Sequence, residues 1–216
     1  MLYFSFTALY IALLGWGLFL YRTRTSHSFT YFLLVVMLGL IYDNGLLAIG
    51  LFIGEGSTLE TLNLWRFLGH AFFTPTLVLF ALGIGRHAKL QWAKKNVTLY
   101  SFLLITITLI VYEITEIMHQ TLQPVVKYGI LRYTLVGAHS GPPIMVLIVT
   151  FILLLVSISL FRHTKWNVML IGVVLMIAGS AIPLPIESGA VTNTFELIFM
   201  TALMMTMSKF LLKEAG

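Results

Sequence analysis

Asp43 and Asn44 stand side by side in the middle of an apolar run, Leu38-Gly39-Leu40-Ile41-Tyr42-Asp43-Asn44-Gly45-Leu46-Leu47-Ala48-Ile49-Gly50. If that run crosses a bilayer, a charge at this depth costs about 2.5–3.5 kcal/mol on insertion scales, so Asp43 must meet a partner or a polar cavity. A second acid, Glu196, sits in another apolar run, three residues after Asn193 and on the same helix face. Between them in the chain come Asn63, Arg66, His70 and Thr74, whose spacings of three and four again define one face. Tyr112, Glu113 and Glu116 follow, and then His139 and Ser140. A carboxyl group held in an apolar cavity can keep a proton to donate, so Asp43 and Glu196, with His70, suit general-acid work. Protonation of an isoprenoid alkene or epoxide is one reaction of this kind, and the cation formed would need aromatic faces. Tyr42, Trp65, Phe67, Phe72, Phe73, Tyr112, Tyr133 and Phe195 offer them at the right depth. Asn44, Arg66, Tyr112, Glu113, Glu116, His139 and Asn193 are the candidate substrate-binding residues.

Other chemistries fit less well. With no cysteine, the chain has no disulfide, thiolate metal site or Cys nucleophile. An opsin needs a lysine in the middle of its seventh helix, and Lys209 lies at the end of the corresponding run. The order His139-Ser140-Gly141-Pro142 does not match the Pro-Ser-Gly-His element of membrane lipid phosphatases. Pro75, Pro142, Pro143 and Pro183 do not pair as they would in the triple-helix repeats of seven-span sugar transporters. Glu113-x-x-Glu116-x-x-His119 holds one Glu-x-x-His element where carboxylate di-iron bundles need two. A zinc site from Asp43, His70 and His139 would lack the close histidine pair of such hydrolases. No metal and no cofactor are therefore expected.

The elements that must carry these side chains are membrane helices. Of 216 residues 59% are hydrophobic and only 10% charged, too few to cover a water-facing surface. The expected fold is all-α: one polytopic domain, residues 1–216, with seven spans near 2–21, 29–53, 62–85, 97–112 (continuing to 116), 142–161, 166–182 and 191–212. The first begins at Met1 without a basic flank or a small-residue cleavage site and reads as a retained span. Pro75 is an expected kink. Residues 54–60 read as a polar loop, and 117–141 as a connection folded at the interface or over the mouth of the bundle. Arg22, Arg24, Arg86, Lys89, Lys94, Lys95, Arg162, Lys165, Lys209 and Lys213 fall on one side, against Lys127 and Arg132, plus Arg66 just inside the third span, on the other. The positive-inside rule then puts the N-terminus outside and the C-terminus in the cytoplasm, in a bacterial cytoplasmic membrane. The +5 net charge is this topology signal and not a nucleic-acid surface. In this orientation the polar residues gather in the outer half, around a pocket floored by Asp43.

Each residue also has a plainer reading. Arg66 could snorkel to headgroups or simply pair with Asp43. His70 and Asn44 could be interhelical glue, and Glu113 and Glu116 could be solvated at the interface. Met200, Met204 and Met207 read as core filler, Gly172 and Gly179 as marks of close helix contact. His27, His87 and His163 read as solvated companions of basic loops.

An acid on span two and another on span seven of a small seven-span protein resemble the membrane-integral terpene cyclases of fungal meroterpenoid pathways. The resemblance implies protonation-initiated cyclisation, with Asp43 and Glu196 as the acids. Ile41-Tyr42-Asp43-Asn44 departs from that family's Trp-Glu pattern, and the acid types are exchanged. The expected ligand is accordingly a membrane lipid or isoprenoid. A proton-coupled transporter using Asp43, Glu196 and His70 as a relay, or a lipid-binding sensor without chemistry, are the alternatives.

Overall fold

In hydrocarbon every backbone N–H and C=O needs an internal partner, which leaves an apolar run of bilayer length the helix as its single-segment solution. The computed structural model describes residues 2–23, 29–137, 144–181 and 189–212 and follows that rule. Its helices are α1 (Leu2–Thr23), α2 (Phe32–Ile53), α3 (Ser57–Phe73), α4 (Leu77–His87), α5 (Asn96–Met118), α6 (Ile144–Thr164), α7 (Val168–Ala181) and α8 (Gly189–Leu212). α3 and α4 are two parts of one apolar element, joined by a 3-10 turn at Thr74–Thr76. Pro75 causes that break, because its ring removes a helical donor. The Thr76 hydroxyl donates to the Phe73 carbonyl at 2.6 Å across it.

Among the described residues, six elements are long and apolar enough to cross a membrane: α1, α2, the α3–α4 unit, α5, α6 and α8. α7 is equally apolar but has 14 residues, about 21 Å of helix against a hydrocarbon core of about 30 Å. The expected sixth span is thus a shorter helix, and residues 182–188 lie outside the described part. The expected loop at 54–60 is also shorter, since Ser57 already opens α3.

The all-helical expectation gains one β element. Residues expected as an interfacial connection form a hairpin, β1 (Thr121–Lys127) antiparallel to β2 (Ile130–Val136), with Lys127 opposite Ile130. The two turn residues, Tyr128 and Gly129, both have positive φ (53° and 72°), the geometry that matches the twist of a two-residue hairpin. β2 packs on α2 and α3. Leu131 and Tyr133 are buried with Leu46 and Leu59, and the Gly56 N–H donates to the Tyr133 hydroxyl at 3.2 Å. At Gly50 the approach is so close that a Cβ would strike the Leu131 carbonyl oxygen.

The opposite end of the bundle is basic and filled. α4 is buried from Leu77 to Gly85 and is wrapped by α2, α5, α6 and α8. Met200, Met204 and Met207 are buried in this core. Gly172 lies against Ala202 and Gly179 against the Phe195 ring, so both glycines mark the close approach of α7 and α8. Indole donors tie the end together: Trp92 Nε1 to Ser159 Oγ at 2.9 Å and Trp166 Nε1 to Thr206 Oγ1 at 3.0 Å. His163 is exposed as expected. His87 is not: it is buried at the end of α4, because that helix is enclosed over its whole length. His27 lies outside the described residues.

Candidate functional site

α2 presents its two adjacent polar residues to different neighbours, because successive helical side chains point about 100° apart. Asp43 turns to α3, where its Oδ1 forms an ion pair with Arg66, 3.1 Å from Nε. Asn44 turns to α8, where its Oδ1 accepts from Asn193 Nδ2 at 2.8 Å, while its own Nδ2 donates to the Leu40 carbonyl at 3.0 Å. One dipeptide therefore binds two helices.

Arg66 does not snorkel. Its side chain is 10% exposed, its guanidinium lies 4.6 Å from the Phe67 ring, and its Nη1 is buried without a hydrogen-bond partner. Asp43 is more open, with its side chain 32% exposed. His70, one helical turn beyond Arg66, is exposed at the surface of α3, and its Nδ1 lies 3.1 Å from the Thr74 hydroxyl. It remains within electrostatic reach of Asp43 and Arg66. Of the face expected to hold Asn63, Arg66, His70 and Thr74, it is Arg66 that contacts Asp43. Asn63 is fully buried and its amide is turned back to the Leu59 carbonyl at 2.8 Å.

Glu196 sits one turn below Asn193 on α8, half-buried. It faces the hydroxyl of Tyr10, a fully buried α1 residue, without a hydrogen bond of standard geometry, and it senses the charge of Asp43. The site is thus built from α1, α2, α3 and α8. α1 contributes Tyr3 and Tyr10, two turns apart on the buried stripe Tyr3, Phe6, Tyr10. The hairpin contributes Arg132, which lies within electrostatic reach of Tyr3 and Arg66.

The remaining candidates are not brought here. α5 packs on α3 and α4, and Tyr112, Glu113 and Glu116 have one another as electrostatic neighbours. Tyr112 is 36% exposed, and Trp65 and Phe72 face outward at 61% and 47%. Of the expected aromatics, Phe67 lies beneath Arg66, whereas Phe195 packs on Gly179 and Tyr133 belongs to the hairpin core. His139 lies outside the described residues. Among the described residues, no three His, Asp or Glu side chains stand close enough together to hold a metal ion.

Tyr3, Tyr10 and Arg132 were not among the candidates. The signal for the tyrosines is their seven-residue spacing with Phe6 between them, one helix stripe. For Arg132 it is strand alternation, which turns it away from Leu131 and Tyr133. Comparison with family models, curated proteins and solved structures finds no match to this chain.

Proposed function

We propose that this chain is a seven-span protein of a bacterial cytoplasmic membrane, N-terminus outside, that acts on an isoprenoid lipid by acid catalysis. The observation that carries the reading is the division of labour between its two acids. Asp43 is matched by the Arg66 guanidinium, whereas Glu196 faces a buried tyrosine across the same site. Asp43 is therefore an anchoring charge, and Glu196 is the proton donor. The chemistry balances without a cofactor. The Glu196 carboxyl proton passes to one carbon of an alkene, an internal alkene attacks the cation, and loss of a proton restores the acid. The product is an isomer of the substrate. Tyr10 would orient the Glu196 carboxyl, and its ring, with those of Tyr3 and of Phe67 beside Arg66, would offer aromatic surface to the cation. His70, at the exposed face of α3, would tune the charge around Asp43 and not give the proton.

A relay across the membrane fits less well, because the half of the bundle toward the basic end is filled by α4 and its neighbours. The test compares lipid extracts of membranes carrying the wild type, Glu196→Gln and Glu196→Asp by chromatography and mass spectrometry. A new peak of unchanged mass and altered retention is expected for the wild type, weaker for Asp and absent for Gln, with all three proteins eluting as folded particles. The same peak in the Gln variant removes the proposal.

A further inference from the structure

We propose that the hairpin end of this site holds an oxyanion headgroup of an amphiphile between Arg66 and Arg132. The inference rests on reading the site as one for a lipid and names what that lipid must carry. Three observations lead to it.

The first is a donor without an acceptor. Asp43 takes the Nε of Arg66, but Nη1 is buried and bonded to nothing, on a side chain only 10% exposed. A guanidinium offers five N–H groups in a rigid fork suited to carboxylate and phosphate oxygens, and one carboxylate on Nε does not exhaust it. The second is a charge surplus. Arg132 lies close enough to Arg66 to oppose its charge, and Asp43 is the acid matched to this pair. Among the described residues, two guanidiniums and one carboxylate leave one positive charge in excess where lipid and protein screen poorly. An oxyanion would neutralise it. The third is geometry from outside the ion pair. Arg132 belongs to the hairpin, which lies across the ends of α2 and α3. Its Nη1 is 3.8 Å from the point where a Cβ on Gly189 would sit, and the Tyr3 hydroxyl is 3.1 Å from that point. Arg132, Tyr3 and the start of α8 thus converge from β2, α1 and α8, so closely that a side chain at Gly189 would crowd the Tyr3 hydroxyl. Charged donors aimed at an oxyanion form short, strong hydrogen bonds. Glu196 lies further along α8 from Gly189, on the side where the tail of a ligand so held would enter the bundle.

The experiment uses the full chain in a neutral maltoside detergent and three probes: farnesyl phosphate, farnesol and inorganic phosphate. Binding is read from the concentration dependence of the melting temperature. The wild type should bind farnesyl phosphate about tenfold more tightly than farnesol, the scale of one extra charge-assisted contact. Arg132→Gln should bring that ratio close to one while leaving farnesol affinity unchanged, which also serves as the folding control. Arg132→Lys should retain part of the ratio. Equal binding of both probes by the wild type, or an unchanged ratio in Arg132→Gln, overturns the proposal. Inorganic phosphate binding as tightly as farnesyl phosphate overturns the amphiphile and leaves a free oxyanion site. Glu196→Gln separates this proposal from the catalytic one: it should keep the wild-type ratio and lose turnover.

Discussion

Removing either member of the Asp43–Arg66 pair should destabilise the bundle, and removing both should cost less than the two losses added. At 3.1 Å the gross attraction is about 5 kcal/mol for an effective dielectric constant of ~20. Breaking a fully buried pair costs about 3–5 kcal/mol, because one charge is left without its partner. Asp43 keeps a third of its side-chain surface open, so the expected cost of Asp43→Asn or Arg66→Met is lower, about 2–3 kcal/mol. The double variant Asp43→Asn/Arg66→Met buries no net charge, and the coupling should be about 1–3 kcal/mol. Reversible unfolding in mixed micelles with increasing dodecyl sulfate measures all three, followed by the fluorescence of the four tryptophans. Additive losses, or single losses below about 0.5 kcal/mol, would refute a partnership of these two residues. The cycle also bears on function. Loss of activity in Asp43→Asn mixes a chemical effect with a structural one, so Glu196→Gln is the cleaner variant.

Other expectations follow from single contacts. Asn193→Ala breaks the amide bridge to Asn44 and should cost about 0.6 kcal/mol, with ~1.7 kcal/mol as the upper end for such bonds in membranes, read in the same unfolding assay. Gly50→Ala sets a methyl against the Leu131 carbonyl. It should lift the hairpin from α2 at a cost of about 1–3 kcal/mol, seen as faster hydrogen exchange across 121–136. Unchanged exchange there would mean that the hairpin is not seated on α2. Gly172→Ala should loosen α7 from α8 in the same way, and Ala202→Gly in the same chain should restore stability, because the two Cβ positions collide.

Much of the helical layout was legible because apolar runs of bilayer length have few alternatives. The kink at Pro75 and the close contacts at Gly172 and Gly179 also follow from residue type alone. The hairpin is hard to see in the sequence, although Tyr128-Gly129 stands between two alternating runs, Thr121–Lys127 and Ile130–Val136. A moderately apolar stretch at a membrane boundary suits an interfacial segment equally well, and strand periodicity over seven residues is a short signal. At the site, Asp43, Arg66, Asn44, Asn193 and Glu196 stood out because polar groups in hydrocarbon are expensive, and these five do converge. Tyr112, Glu113 and Glu116 stood out for the same reason and do not, since depth along a helix is readable from sequence while its rotation and neighbours are not. Tyr3, near the end of an apolar span, looks in sequence like an interfacial anchor, and Tyr10, in mid-span, looks like core packing.

Acid-initiated cyclisation leaves an isotopic mark. Membranes carrying the wild-type protein, given in D2O the isoprenoid whose level falls on its expression, should yield a product heavier by about 1 Da than the substrate, from one carbon-bound deuterium delivered by the general acid. Glu196→Gln membranes should yield none. A product without deuterium, or equal labelled product from the Gln variant, would contradict the assignment of Glu196 as proton donor.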